Sequence, residues 1–195
     1  YWLNEDYYAA SRTAIYVGCN KGMDAIDMLR RLSSDSFIDK HRWKTEFFAN
    51  TEVIPGVCHQ EDSPQLAVVG TNKKHAAVYC VEAMPKTAEQ LSRTAFRLGY
   101  HGKLLVHNAA MSSQDGTTLF PNTVVGTENQ GLSFCEKSPE QCAPVTLYKL
   151  DSYVEKYLPE DTLIDFLSTD VEGFDWEVLK GGLNQTLARV RYLEL

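Results

Sequence analysis

The chain has 195 residues, a length that suits one domain, with 44% hydrophobic and 23% charged residues, ordinary globular usage that excludes disorder and fibrous repeats. With 19 Lys and Arg against 26 Asp and Glu, the net charge is −7, which argues against a nucleic-acid backbone as partner and for an acidic enzyme on a small or neutral substrate. No apolar run approaches the roughly 18 residues of a membrane span; the best, Ala76 to Val81, is broken by Glu82.

The chain begins at Tyr1 rather than Met and reads as a fragment or a processed product. Thr13 to Val17 predicts a short buried strand that ends in Gly18-Cys19-Asn20-Lys21-Gly22. A helix follows, with Ala25, Met28, Leu29 and Leu32 spaced on one face. Residues 33 to 75 are polar and irregular, holding Pro55-Gly56 and Asp62-Ser63-Pro64, and read as an insertion with one short element of its own. Ala76 to Val81 is the second strand. Pro85 opens a helix whose stripe is Ala88, Leu91, Ala95 and Leu98, and Gly99 ends it.

Lys103 to His107 is a third strand, an apolar run of the kind a parallel sheet covers on both faces. Between 111 and 146, the runs Thr117 to Phe120 and Asn122 to Val125 suggest a hairpin excursion. Asp151 is expected to cap a short helix that Pro159 stops. Leu163 to Thr169 is the fourth strand, Phe174 to Lys180 a helix closed by Gly181-Gly182, and Val190 to Leu195 a fifth strand. This alternation predicts right-handed β-α-β units in a single doubly wound α/β domain over residues 1–195.

The five cysteines leave the compartment open. Cys135 and Cys142 flank a polar loop and suit either a small disulfide or two thiols. Cys58-His59 has no second pair at ligand spacing, so no metal site is expected. Asn184-Gln185-Thr186 matches the glycosylation sequon, a triplet that chance alone supplies in a chain of this composition.

In an open α/β sheet, ligands bind beyond the carboxyl ends of the strands. Four such ends carry small, acidic or amide residues: the Gly18–Gly22 turn, Glu82, His107-Asn108-Ala109-Ala110 and Asp170-Val171-Glu172-Gly173. Each has a plainer reading, as a tight turn, a solvent exit, a self-bonded Asn or a solvated helix start. Aligned on one edge, they form a pocket. The turn lacks the middle glycine of a dinucleotide fingerprint, so it suits a ligand without phosphates, such as S-adenosylmethionine, with Glu82 accepting from both ribose hydroxyls.

Ile15-Tyr16-Val17-Gly18-Cys19-Asn20-Lys21-Gly22, Val81-Glu82-Ala83, His107-Asn108-Ala109-Ala110, Val145 to Tyr153, and Asp170-Val171-Glu172-Gly173-Phe174 with Glu177 to Gly181 resemble FkbM-type methyltransferases. The likeness runs in order from about Ala14 to Leu195. It implies a Rossmann-like, mostly parallel sheet of the class I methyltransferase type, C-terminally short, with insertions after the first helix and the third strand. It also implies an S-adenosylmethionine-dependent O-methyltransferase acting on a hydroxyl of a sugar, glycan or natural product. By the resemblance, Gly18, Asn20 and Gly22 serve the methionine and ribose side of the cofactor. Glu82 takes the ribose hydroxyls, Asn108 and Ala109 the adenine side, and Asp170 the floor beneath the sulfonium.

The sequence departs from the family at Tyr16, where an acid is usual, and at Ser168, where Lys is usual. An aromatic at 16 is expected to weaken cofactor binding, and the two departures support a second reading, a catalytically impaired binding or interaction module. For the chemistry, Glu172 is the preferred base, with Asp170 and His107 as the other candidates. Residues 33–75 join a helix end to a strand start and are expected to lie away from the cofactor. Their aromatics Trp43, Phe47 and Phe48 are expected to pack or to mediate association with a second copy. Residues 111–146 leave from the carboxyl edge and are expected to cover the acceptor.

Overall fold

In the computed structural model, which describes residues 12–33, 37–49, 52–53, 76–128 and 133–195, β1 (Arg12–Val17) is buried along its whole length. Its side chains alternate between two cores. Ala14 and Tyr16 join a cluster with Leu29, Trp43 and Leu91, whereas Ile15 and Val17 join one with Leu150, Tyr153 and Val178. A strand covered on both faces has no solvent side, which is why it reads as an unbroken apolar run.

Helix α1 (Met23–Leu32) follows the glycine turn and buries Ala25, Ile26, Met28, Leu29 and Leu32. Next, α2 (Lys40–Phe48) is capped by Asp39, whose carboxylate accepts from the Arg42 N–H at 2.7 Å. Trp43 and Phe47 of α2 are fully buried, and Trp43 stacks with Tyr100 at 6.4 Å between ring centroids. Thus these two insertion aromatics are core. Cys58, His59, Pro55-Gly56 and Asp62-Ser63-Pro64 lie outside the described residues.

The chain continues through β2 (Ala76–Glu82) and α3 (Pro85–Arg97), with Pro85 in its first turn and Gly99 beyond its end at φ 74°. Then come β3 (Leu104–Asn108), β4 (Ala110–Met111), β5 (Gly116–Pro121) and α4 (Ser133–Lys137). The last elements are β6 (Cys142–Tyr148), α5 (Leu150–Tyr157), β7 (Phe166–Thr169), α6 (Asp175–Lys180) and β8 (Leu193–Glu194).

The main sheet has five strands in the order β3-β2-β1-β7-β8, all parallel. The winding direction reverses at β1, so the crevice between the carboxyl ends of β1 and β7 is the topological switch point. Among the described residues no helix is long and apolar enough to cross a membrane.

Three expectations need correction. The strand β5 does not pair with Asn122–Val125; its antiparallel partner is β6, and β4 adds to β6 in parallel to make a second, three-stranded sheet. Local pattern reveals a strand but not its partner, and Asn122 instead donates its N–H to the Gln141 carbonyl at 2.8 Å. Asp151 does not cap α5, whose N-cap is Lys149. Its carboxylate instead accepts the backbone N–H groups of Asn184, Gln185 and Thr186. The fourth and fifth strands are shorter than expected, and Ile164 meets Val190 only at an isolated bridge. Of the two readings left open for Cys135 and Cys142, the disulfide is the one present, and a second disulfide joins Cys19 in the glycine turn to Cys80 in β2. That bond spans 61 residues of sequence and left no local signal.

Candidate active site

A cavity of about 370 Å³ opens at the switch point, within the range of small-molecule sites. One side is the end of β1. Gly18 sits at φ +88°, and a Cβ there would lie 2.0 Å from the Asp170 carbonyl oxygen, so only glycine lets the turn pass this close to the end of β7. The Gly18 N–H donates to the Val81 carbonyl at 2.9 Å, tying the turn to β2 as well. Gly22, at φ +72°, closes against Leu91 and the Trp43 ring. The Trp43 indole N–H donates to the Lys21 carbonyl at 2.8 Å. The insertion therefore does not line the cavity through Trp43, but it braces the turn from behind.

Glu82 is buried at the end of β2 and faces the cavity. Its Oε2 accepts the Asn20 N–H at 2.7 Å and its Oε1 the Met84 N–H at 2.8 Å. Burial pushes its carboxyl above the usual range, opposed by these two N–H groups and by the Lys21 ammonium. Each oxygen keeps a second lone pair, and the two donors fix the plane in which it points.

The turn is clasped from a third direction. Lys21 forms an ion pair with Glu128 at 2.5 Å and donates to the Gly126 carbonyl at 3.0 Å. The Asn20 amide also donates to Glu128, at 3.0 Å. Glu128 lines the cavity and was not found by sequence reasoning, because its partners lie more than 100 residues away.

The remaining expected residues divide. Asn20, Ala109, Asp170 and Glu172 line the cavity with Gly18 and Glu82. Gly22 and Asn108 do not. The Asn108 amide donates to the carbonyls of Glu82 and Ala83 at 2.9 and 3.0 Å, securing the end of β2 from outside. His107 also stands apart from the cavity. Its Nδ1 shares a 2.7 Å hydrogen bond with the Tyr153 hydroxyl, its ring packs on Tyr157, and burial lowers its pKa.

Beside the glycine turn, Glu172 at φ 53° and Gly173 at φ 91° fold the chain back after β7. This brings Asp170, Glu172 and Phe174 to the cavity wall. The small β4–β6 sheet and its loops add Ser112, Gln114, Thr117, Thr118 and Phe120, none of which the sequence singled out by function. Alternation along β5 was the available signal for two of them, but which face looked inward depended on its pairing with β6.

The two departures prove to be neighbours. Tyr16 and Ser168 are register partners across β1 and β7. Tyr16 is buried against Phe166, with ring centroids 5.6 Å apart, and neither residue lines the cavity. At these paired positions the chain carries two neutral side chains, a phenol and a hydroxyl.

A family model, the methyltransferase FkbM domain, matches residues 46–194. The chain belongs to this methyltransferase family. The match takes in β2 through β8, and therefore Glu82, Asp170 and the β4–β6 wall, while the glycine turn lies N-terminal to it. No curated protein and no solved structure matches the chain. Within the matched residues, the acidic Asp170-Val171-Glu172 block stands beside the end of β1, where the Asp170 N–H donates to the Val17 carbonyl at 2.9 Å.

Proposed function

We propose that this FkbM-family protein is an S-adenosylmethionine-dependent O-methyltransferase, with the cofactor held at the Gly18–Glu82 side of the cavity and an uncharged, hydroxyl-bearing acceptor at the Gln114–Phe174 side. The observation that carries this reading is Glu82. A buried carboxylate with one lone pair on each oxygen engaged by backbone N–H groups presents its two remaining lone pairs together, as a ribose diol requires.

Charge supports the same ligand. Glu82, Glu128, Asp170 and Glu172 all line the cavity. Glu128 is neutralised by Lys21; the other acids favour a ligand that carries a sulfonium and an ammonium, and they oppose phosphate or carboxylate groups on either substrate. The opposite wall offers hydroxyl and amide side chains with two aromatic rings, Phe120 and Phe174, which suits the mixed polar and apolar faces of a sugar or a related natural product.

When bound, the cofactor supplies an electrophilic methyl group. The chain's part is to align the acceptor oxygen with it, to exclude water and to take the acceptor proton. Positioning provides most of the rate in such a displacement. Glu172 or Asp170 receives the proton, both standing on the wall beyond β7. Tyr16 and Ser168 are buried and do not line the cavity, which supports the catalytic reading over the binding-module one.

Titration calorimetry with S-adenosylmethionine, S-adenosylhomocysteine and NAD tests the proposal. Binding of the first two, lost by roughly 10- to 100-fold in Glu82→Ala, is expected from the strength of hydrogen bonds to a charged group. Binding of NAD alone, or unchanged S-adenosylhomocysteine affinity in the folded variant, would remove Glu82 from a cofactor site.

A further inference from the structure

The turn that follows α6 holds an unexplained hydroxyl. Thr186 is fully buried, yet its Oγ1 has no hydrogen-bond partner among the described residues. Its backbone is well served, with the N–H donating to Asp151 at 2.8 Å and the carbonyl accepting from Arg189 at 2.9 Å. A buried hydroxyl without a partner destabilises the fold relative to valine, which fills nearly the same space. No contact among the described residues therefore calls for threonine at this position.

The sequence around it supplies a reason. Thr186 is the third residue of Asn184-Gln185-Thr186, and the hydroxyl of an Asn-X-Thr triplet is required for transfer of a glycan to the asparagine. Asn184 is exposed. Independently, the chain carries two disulfides, Cys19–Cys80 and Cys135–Cys142, and such bonds persist in oxidising compartments, where sequons are read.

We propose that Asn184 carries an N-linked glycan, attached while the chain is still being made. In this transfer the Asn184 Nδ2 forms a bond to C1 of the first sugar of a polyprenyl-pyrophosphate-linked oligosaccharide. The bond from C1 to the pyrophosphate oxygen breaks, its electron pair leaves with the lipid pyrophosphate, and the amide proton passes to a base of the transferase. The burial of Thr186 fixes the order of events. Once Asp151 has gathered the three N–H groups of this turn, the hydroxyl is out of reach, so transfer precedes folding. The finished glycan would shield Leu183, the adjacent apolar side chain, which is 62% exposed.

Peptide mapping of the full-length protein from its natural source, without reduction and after an amidase that releases N-glycans by converting Asn to Asp, tests this directly. Asp at position 184 together with both disulfides is expected; an unmodified Asn184 overturns the proposal. A second measurement uses unglycosylated protein, in which Thr186→Val is expected to raise Tm by roughly 2–4 °C. A lower Tm would show that folding itself needs the hydroxyl and would remove the argument for the sequon.

Discussion

On one side of the cavity the inward-facing groups belong to the main chain or are bound to it. Gly18 lies against the Asp170 carbonyl, and Glu82 is buried and oriented by the N–H groups of Asn20 and Met84. On the other side, Gln114, Thr117 and Phe174 reach in as exposed side chains on a small sheet and a reversed turn. The first side cannot change without moving the sheet that bears it. The second can exchange residues at little expense in stability. A ligand common to a family belongs on the first, and a ligand that differs between members belongs on the second.

This contrast is open to direct attack. The largest effect is expected beneath the first side. Tyr16→Asp puts a carboxylate into the core, and denaturant unfolding should show a loss of roughly 3–5 kcal/mol, the range for an uncompensated buried charge. Adding Ser168→Lys should recover about 1–3 kcal/mol through coupling of neighbours. Tighter S-adenosylhomocysteine binding with no loss of stability in Tyr16→Asp would instead put that side chain at the cofactor, and the division would fail.

Gly18→Ala comes next. Its positive φ and its collision with the Asp170 carbonyl together should remove roughly 2–4 kcal/mol, visible as a lower denaturant midpoint at unchanged slope. A stable variant would mean that the turn has freedom its geometry denies.

Glu82→Gln sharpens the comparison through pH. The folded-state pKa of Glu82 is raised by burial, so its favourable contribution is complete below the unfolded value and is lost as pH rises through the folded one. Relative to Glu82→Gln, the wild type should therefore lose stability as pH climbs from about 4.5 toward neutrality. Parallel pH–stability curves would show that the carboxylate is not burdened by burial. The smallest effects belong to the other side. Gln114→Ala and Thr118→Ala should each change stability by less than about 0.5 kcal/mol and leave S-adenosylhomocysteine affinity untouched in calorimetry.

The same division explains what could be read from the residues alone. Gly18 and Glu82 were legible because each ends a buried apolar run, and a parallel sheet turns such ends into a shared edge. Glu128 was not, since nothing local marks an acid whose partners are Asn20 and Lys21. Thr118 and Phe120 showed their strand but not their facing, which the distant β6 decides. Asp151 looked like a helix cap because it opens a helix, yet three N–H groups from a remote turn outcompeted its own. Tyr16 looked like a cofactor residue by its place in a motif. Its alternation along β1 points it into the core instead.

The strand order also governs how the molecule is assembled. The central strand β1 is the first of the sheet to be synthesised, yet one of its two neighbours, β7, begins only at Phe166. The Thr13 N–H must wait for the Asp165 carboxylate, 152 residues later. Until then β1 and β2 can pair, but β1 presents an open, apolar edge on the side where β7 will lie. Contacts of such long sequence separation slow folding and expose the nascent chain to aggregation. The cavity, bounded by Gly18 and Asp170, is accordingly among the last features to form.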